Sequence, residues 1–226
     1  HAAQIAQKLE SDGQGSFKGR LSHYLCEQAA SCVAADKSSL ALTYLAQAMH
    51  IAPEAPRPRM DLARIQFDQG NATLACDTLT QAITASASAI ALIAPALARY
   101  AIAAGQGTRT LDQLKAVYSH TPSLDVLDAI VALEAASGAP SATAREWYAR
   151  HLENEPSLVA AAKWIAGEKL EHEQFHPQVQ RALDHAVKPL TRYRCAACGF
   201  EAKQHFWQCP GCQAWDSYPA RRVEEL

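Results

Sequence analysis

Four stripes of small and large apolar residues run at helical spacing along the chain. Ala41, Leu45 and Ala48 form one, and Ala75, Leu79 and Ala82 form the next. Thr110, Leu114 and Val117, then Ala144, Tyr148 and His151, repeat the spacing. Each set falls at i, i+4 and i+7, one face of an α-helix. Turn markers stand between the stripes: Asp36, Gly70, Gly105 and Gly138, at intervals of 34, 35 and 33 residues. A glycine there can supply the left-handed residue that ends a helix. A second marker series shares the period: Pro53, Pro122 and Pro156, with Ala87 at the skipped place. Proline has no N–H and cannot continue the helical ladder. Ala29, Ala63, Ala98 and Ala132 are read as the small residue before each turn. The pattern predicts four helix–turn–helix units, roughly residues 22–55, 56–90, 91–124 and 125–158.

A fixed period near 34, with small residues and a closing proline in this order, resembles the tetratricopeptide repeat. A non-repeating bundle has no reason to hold one period in two marker series. Residues 1–10 (HAAQIAQKLE) read as the second helix of an earlier repeat, and residues 11–20, rich in Gly, Ser and Asp, as a loop. The chain is thus expected to start inside a repeat. Residues 158–173 are expected to form a further helix. Pro177, at a first helical position, starts another that ends before Pro189 and caps the array. The expected fold class is all-α: a tetratricopeptide-type α-solenoid over residues 1–187 and a small metal module over 188–226.

Composition supports a packed helical protein. Of 226 residues, 49% are apolar, 19% charged and 7% aromatic, which excludes wholesale disorder. Abundant alanine lets helix backbones approach closely. The net charge of −2 argues against a generic nucleic-acid binder. No apolar run reaches a membrane-spanning length of about 18 residues. The chain opens on His1, with no signal peptide, and is expected to be a processed or cut form that has lost an amino-terminal anchor.

The sharpest chemistry lies in residues 193–215, YRCAACGFEAKQHFWQCPGCQAW. Cys195, Cys198, Cys209 and Cys212 follow C-x2-C-x10-C-x2-C. Each C-x-x-C turn aims two thiolates at one ion, and two such turns make a tetrahedral set for a single Zn or Fe. Gly199 permits the positive φ of the first knuckle, while Pro210 and Gly211 shape the second. Four protein ligands leave no position for a reactive water, so a hydrolytic centre is not expected. Two readings stay open: a structural ion that replaces part of a core too small to hold alone, and an iron that carries electrons. Paired C-x-x-C motifs also point to a reducing compartment, the cytoplasm.

Tyr193, the C-G-F after the first knuckle, Trp207, the C-P-x-C knuckle and Trp215 resemble rubredoxin. The ten-residue loop is shorter than in electron-carrying members, and their acidic stretch is absent, so the module is closer to a zinc ribbon. Repeats followed by such a module resemble the lipopolysaccharide assembly protein B family of Gram-negative bacteria, over nearly the whole chain. That resemblance implies a non-enzymatic adaptor at the cytoplasmic side of the inner membrane, held by an amino-terminal membrane helix. It would regulate lipopolysaccharide biosynthesis by promoting proteolysis of the deacetylase LpxC by the membrane protease FtsH. Lipopolysaccharide itself is a further candidate ligand. The alternative is a rubredoxin-like electron carrier with a repeat docking domain. A nucleic-acid-binding ribbon is disfavoured, since residues 194–226 carry four basic and four acidic side chains.

No catalytic constellation competes: there is no Walker loop, G-x-G-x-x-G, G-x-S-x-G or H-E-x-x-H. Cys26, Cys32 and Cys76 read as small buried hydrophobes. His172, His176 and His185 read as surface or capping residues, and Glu168, Glu171 and Glu173 as a solvated helix face. Arg64 and Arg99 hold one repeat position, with Arg57 and Phe67 beside them. These four are the candidate contacts for an acidic or C-terminal peptide of a partner. Phe200, Phe206 and Trp207 exceed what a small module can hide, and some of them are expected to dock onto the last helices.

Overall fold

The structure, a computed structural model, describes Ile5 and residues 17–168 and 173–226. Apart from Ile5, which is helical, the helix expected over residues 1–10 and the loop over 11–16 lie outside the described residues. The chain divides into two compact units, residues 1–93 and 94–226.

The first unit holds α1 (Lys18–Ala34), α2 (Ser38–Ile51), α3 (Pro56–Asp68) and α4 (Ala72–Ala85), and the start of α5 (Ile90–Ala103). Lys18 to Arg20, read as loop, are already helical. Leu21, Leu25, Cys26 and Ala29 of α1 pack on Ala41, Leu45 and Ala48 of α2, with Ile65 of α3 closing the cluster. Alanine at the crossing lets the two backbones approach while leucine fills the space beside it. Arg57 of α3 is buried and reaches back to α1, ion-paired with Glu27 and with its Nη1 3.3 Å from His23 Nδ1. Its Nε lies 3.6 Å from Asp61, whose carboxyl is raised above its ordinary value by burial despite that guanidinium.

The second unit continues α5 and adds α6 (Gly107–His120), α7 (Leu124–Ala136), α8 (Ser141–Asn154), α9 (Leu158–Ala166) and α10 (His176–Val187). Leu124 and Leu127 of α7, Tyr148 of α8, and Val159 and Ala160 of α9 form its buried cluster, flanked by Tyr118, Trp147 and Trp164. The buried Glu134 is matched: it takes the Trp147 Nε1–H at 2.8 Å and Lys115 Nζ at 2.7 Å. The Tyr148 hydroxyl donates to Asp128 at 2.9 Å.

All four turn markers hold left-handed backbone: Asp36 at φ 56°, Gly70 at 84°, Gly105 at 68° and Gly138 at 84°. The next residue donates back five positions each time: Lys37 to Cys32, Asn71 to Gln66, Gln106 to Ala101, Ala139 to Glu134, at 2.9–3.0 Å. These are Schellman closures, which satisfy carbonyls left open at a helix end. Pro53, Pro122 and Pro156 each stand two residues past a helix. The fold is all-α with repeated helix hairpins and a small C-terminal metal module.

Two details differ from the sequence reading. Ala132, assigned to the small-residue series, is exposed, while Val131 packs on the core. The 33-residue step from Gly105 to Gly138 moves that face by one position. The helix expected over 158–173 ends at Ala166, where Gly167 caps it, and residues 169–172 lie outside the described set. The helix begun at Pro177 is present and stops before Pro189.

After α10 the chain enters the metal module through β1 (Tyr193–Arg194), paired antiparallel with β2 (Glu201–Ala202). The end of the chain then returns to the helices. Glu224 caps α9: its carboxylate accepts from Ser157 Oγ at 2.8 Å and from the Leu158 and Val159 N–H groups at 2.6 and 3.1 Å. Glu225 accepts from Leu124 N–H at the start of α7, at 2.8 Å. Arg222 forms a bidentate pair with Asp125 at 2.8 and 2.9 Å, donates to Thr191 O, and stacks on the Tyr193 ring at 4.2 Å. Carboxylates are favoured at helix N-termini, where free N–H groups and the helix dipole both attract them.

Arg222→Ala leaves Asp125 buried without its partner and is expected to cost about 3 kcal/mol. A lowered urea midpoint and faster amide exchange at Tyr193–Cys195 check this. Arg222→Lys keeps the charge but loses the fork, and is expected to rescue only part of the loss. His151, buried and 2.6 Å from the Tyr118 hydroxyl, has its pKa lowered by burial against the opposing pull of Glu225, Glu155, Glu224 and Asp128. The fold therefore holds the neutral imidazole, while the unfolded chain takes up a proton near pH 6.5. Stability is full above that pH and falls as pH drops below it. The urea midpoint is expected to fall between about pH 7.5 and pH 5.5, less steeply in His151→Gln.

Candidate metal centre

The two C-x-x-C segments fold as near-copies of one another. Gly199 N–H donates to Cys195 O, and Gln213 N–H to Cys209 O, both at 2.8 Å. Cys195 N–H donates to Phe200 O, and Cys209 N–H to Ala214 O, both at 2.9 Å. The residue after each second cysteine is left-handed: Gly199 at φ 78° and Gln213 at φ 61°. The second knuckle therefore turns on Gln213, not on the glycine read from the sequence. Gly211 serves another need: a Cβ there would stand 3.3 Å from the Phe200 ring, so its absence lets Phe200 lie against the knuckle.

The four sulfurs of Cys195, Cys198, Cys209 and Cys212 lie within 4.8 Å of one another. Cys195 and Cys212 are 3.8 Å apart, and Cys198 and Cys209 3.7 Å. A tetrahedron with metal–sulfur bonds of about 2.3 Å sets its sulfurs about 3.8 Å apart, so the donor set fits one Zn or Fe ion. A disulfide would need about 2.05 Å. Cys195 and Cys209 are buried, whereas Cys198 and Cys212 reach the surface. The Ser217 hydroxyl, 3.2 Å from Cys195 Sγ, and the Cys198 and Ala197 N–H groups bring that thiol down to about 6. The thiolate is the ligand form, and a cation among the four sulfurs favours it.

The aromatic residues of the module pack on one another. His205 meets Tyr193, Trp207 and Tyr218 edge-on at 5.5, 4.7 and 6.0 Å, and Phe206 meets Tyr218 at 6.0 Å. Tyr218 is buried beside Cys209, donates to Phe200 O at 3.2 Å, and is raised to about 12 by burial. Docking onto the helices runs through Arg222, which stacks on Tyr193, and through Glu224 and Glu225, rather than through Phe200, which stays exposed. Ser217, Tyr218 and Gln213 escaped the sequence reading: none has the residue type or spacing of a ligand, and only the closed turn shows what they do.

Among the described residues the four cysteines are the one group with metal-ligating geometry. Cys26 and Cys76 are buried, with thiols raised to about 12 and about 11 by desolvation, as inert core residues should be. Cys32 is half-buried. His176 lies 3.1 Å from Ile165 O, and His185 is exposed. His172 and Glu171 lie outside the described residues, and Glu168 pairs with Arg145 at 3.0 Å. Arg57, Arg64 and Phe67 all lie on α3: Arg57 buried in its ion network, Phe67 half-buried, Arg64 exposed and 3.8 Å from Asp61. Arg99, on α5 in the second unit, is exposed and set against the Tyr100 ring.

Residues 193–218 match the family model described as the rubredoxin metal binding domain. The whole chain is similar to lipopolysaccharide assembly protein B of Escherichia coli strain K12, 24% identical over 232 residues. The proteins of that name in strains O6:H1 and O157:H7 match equally. The alignment covers 100% of this chain and 59% of each relative, so the chain spans about three fifths of their length. The resemblance read from the repeat period and the four cysteines therefore extends along the entire sequence.

Removing the ion is expected to unfold the module and spare the repeat helices, since so few residues hold little core without it. Chelation, or a combined Cys195→Ser and Cys198→Ser change, should abolish one equivalent of bound metal. Near-ultraviolet dichroism from Trp207 and Trp215 should collapse while helical dichroism falls only slightly.

Proposed function

We propose that the chain is a non-enzymatic adaptor that regulates lipopolysaccharide biosynthesis. The observation that carries this reading is a closed four-thiolate module clamped onto repeat helices, in a chain similar throughout to proteins named for lipopolysaccharide assembly. A tetrahedral ion with four protein ligands has no open position for substrate or water, so it holds shape and does not activate a reactant. Repeated helix hairpins offer side chains in register to a peptide. In the finer form of the proposal, the adaptor works at the cytoplasmic face of the inner membrane and presents the deacetylase LpxC to the protease FtsH. No described helix is long and apolar enough to cross a membrane, so attachment through a separate amino-terminal helix is part of the proposal. Arg64 and Arg99, both exposed, are proposed to face a partner, with Arg57 bracing α3 from within.

Affinity capture from solubilised membranes tests this. The metal-loaded chain is expected to retain FtsH or LpxC, and the Cys195→Ser, Cys198→Ser variant to lose both. Arg64→Ala with Arg99→Ala should weaken capture several-fold, and unchanged capture would remove them from the contact surface. Failure to retain either protein, together with a reversible one-electron couple of bound iron, would overturn the adaptor reading in favour of an electron carrier.

A further inference from the structure

The second unit contains a cavity of about 460 Å³ where the metal module meets the helices. Leu124 and Val159 give it an apolar wall, at the starts of α7 and α9. Its charged lining comprises Lys163, Lys188, Arg192, Lys203 and Arg222 against Asp125 and Asp128, five cations to two anions. Three of the cations are already matched: Lys163 by Asp128, Arg222 by Asp125, and Arg192 by Glu201 at 3.6 Å. Lys188 and Lys203 form no ion pair among the described residues, and both are exposed at the cavity. Like charges gathered in a concave, low-dielectric setting repel one another and focus an attractive field for an anion.

We infer that this cavity binds a phosphate-bearing ligand, its phosphate held between Lys188 and Lys203 and its carbon portion against Leu124 and Val159. Two ammonium groups, each with three donors, suit a dianionic group. The volume is that of a small-molecule site. Lys188 follows α10, and Lys203 directly follows β2, so the two meet at one cavity only when the module is docked. The helix N-termini at the same place are not the attraction, because Glu224 and Glu225 already occupy them.

Titration calorimetry of the metal-loaded chain with inorganic pyrophosphate, and flotation with phosphatidylcholine vesicles with and without phosphatidic acid, test the site. Saturable binding to either phosphate probe is expected, weakened about tenfold or more in Lys188→Gln with Lys203→Gln and retained in Lys188→Arg with Lys203→Arg. Metal content and helical dichroism confirm that the variants fold. Binding to pyrophosphate alone identifies a free phosphate ligand, and binding to phosphatidic acid vesicles alone identifies a lipid headgroup. No binding to either probe, binding indifferent to the two lysines, or capture only of a polyglutamate peptide would overturn the inference. Direct binding is the readout, so its failure leaves the adaptor reading standing.

Discussion

The carboxylates of Glu224 and Glu225 sit on the open N–H groups of two helices, and Arg222 between them grips Asp125 with both arms of its guanidinium. These few residues join a module with almost no core to a stack of helices that has one. Helix N-termini at α7 and α9 must find acceptors, and a chain end carrying two adjacent glutamates supplies them. The fork of Arg222 fixes orientation as well as charge, since only one geometry satisfies Asp125, Thr191 and the Tyr193 ring together. The metal module's position, and the cavity beside it, follow from this clamp.

Within each unit, polar contacts tie side chains about one repeat apart. His23 meets Arg57 after 34 residues, Tyr118 meets His151 after 33, and Asp128 meets Lys163 after 35. Stacked repeats place equivalent faces against each other, so residues one period apart become neighbours. In these three pairs a polar group of one repeat finds its partner in the next. The leucines and alanines of each hairpin supply the apolar contact, and these pairs fix how the hairpins are set.

The metal module inverts the usual order of stabilisation. Its aromatic residues cluster around His205 and Tyr218, but the two knuckles are held by short turns whose thiolates need a cation between them. The ion supplies the missing core, and its closed coordination suits a part that presents a surface. Set against helices that display charged side chains at intervals, such a part extends an interaction surface, which is the physical basis of the adaptor reading.

The helical stripes, the turn residues and the ligand set were legible in the sequence because each is a local property. Gly70, Gly105 and Gly138 answer to backbone sterics within a few residues, and the thiol pairs to turns of four. At Ala132 the 33-residue step from Gly105 to Gly138 carries the one-residue change of register, whereas at Gln213 a positive φ without glycine leaves no local sign. The clamp lay beyond sequence reading for a different reason. Arg222 and Asp125 are 97 residues apart, and Glu224 and Ser157 are 67 apart. Neither pair has a spacing that distinguishes it in the sequence from any other pair of polar residues. Their pairing, and the meeting of Lys188 with Lys203 at one cavity, are set by how the last helices and the module pack, because long-range electrostatic partners are chosen by the geometry that burial imposes.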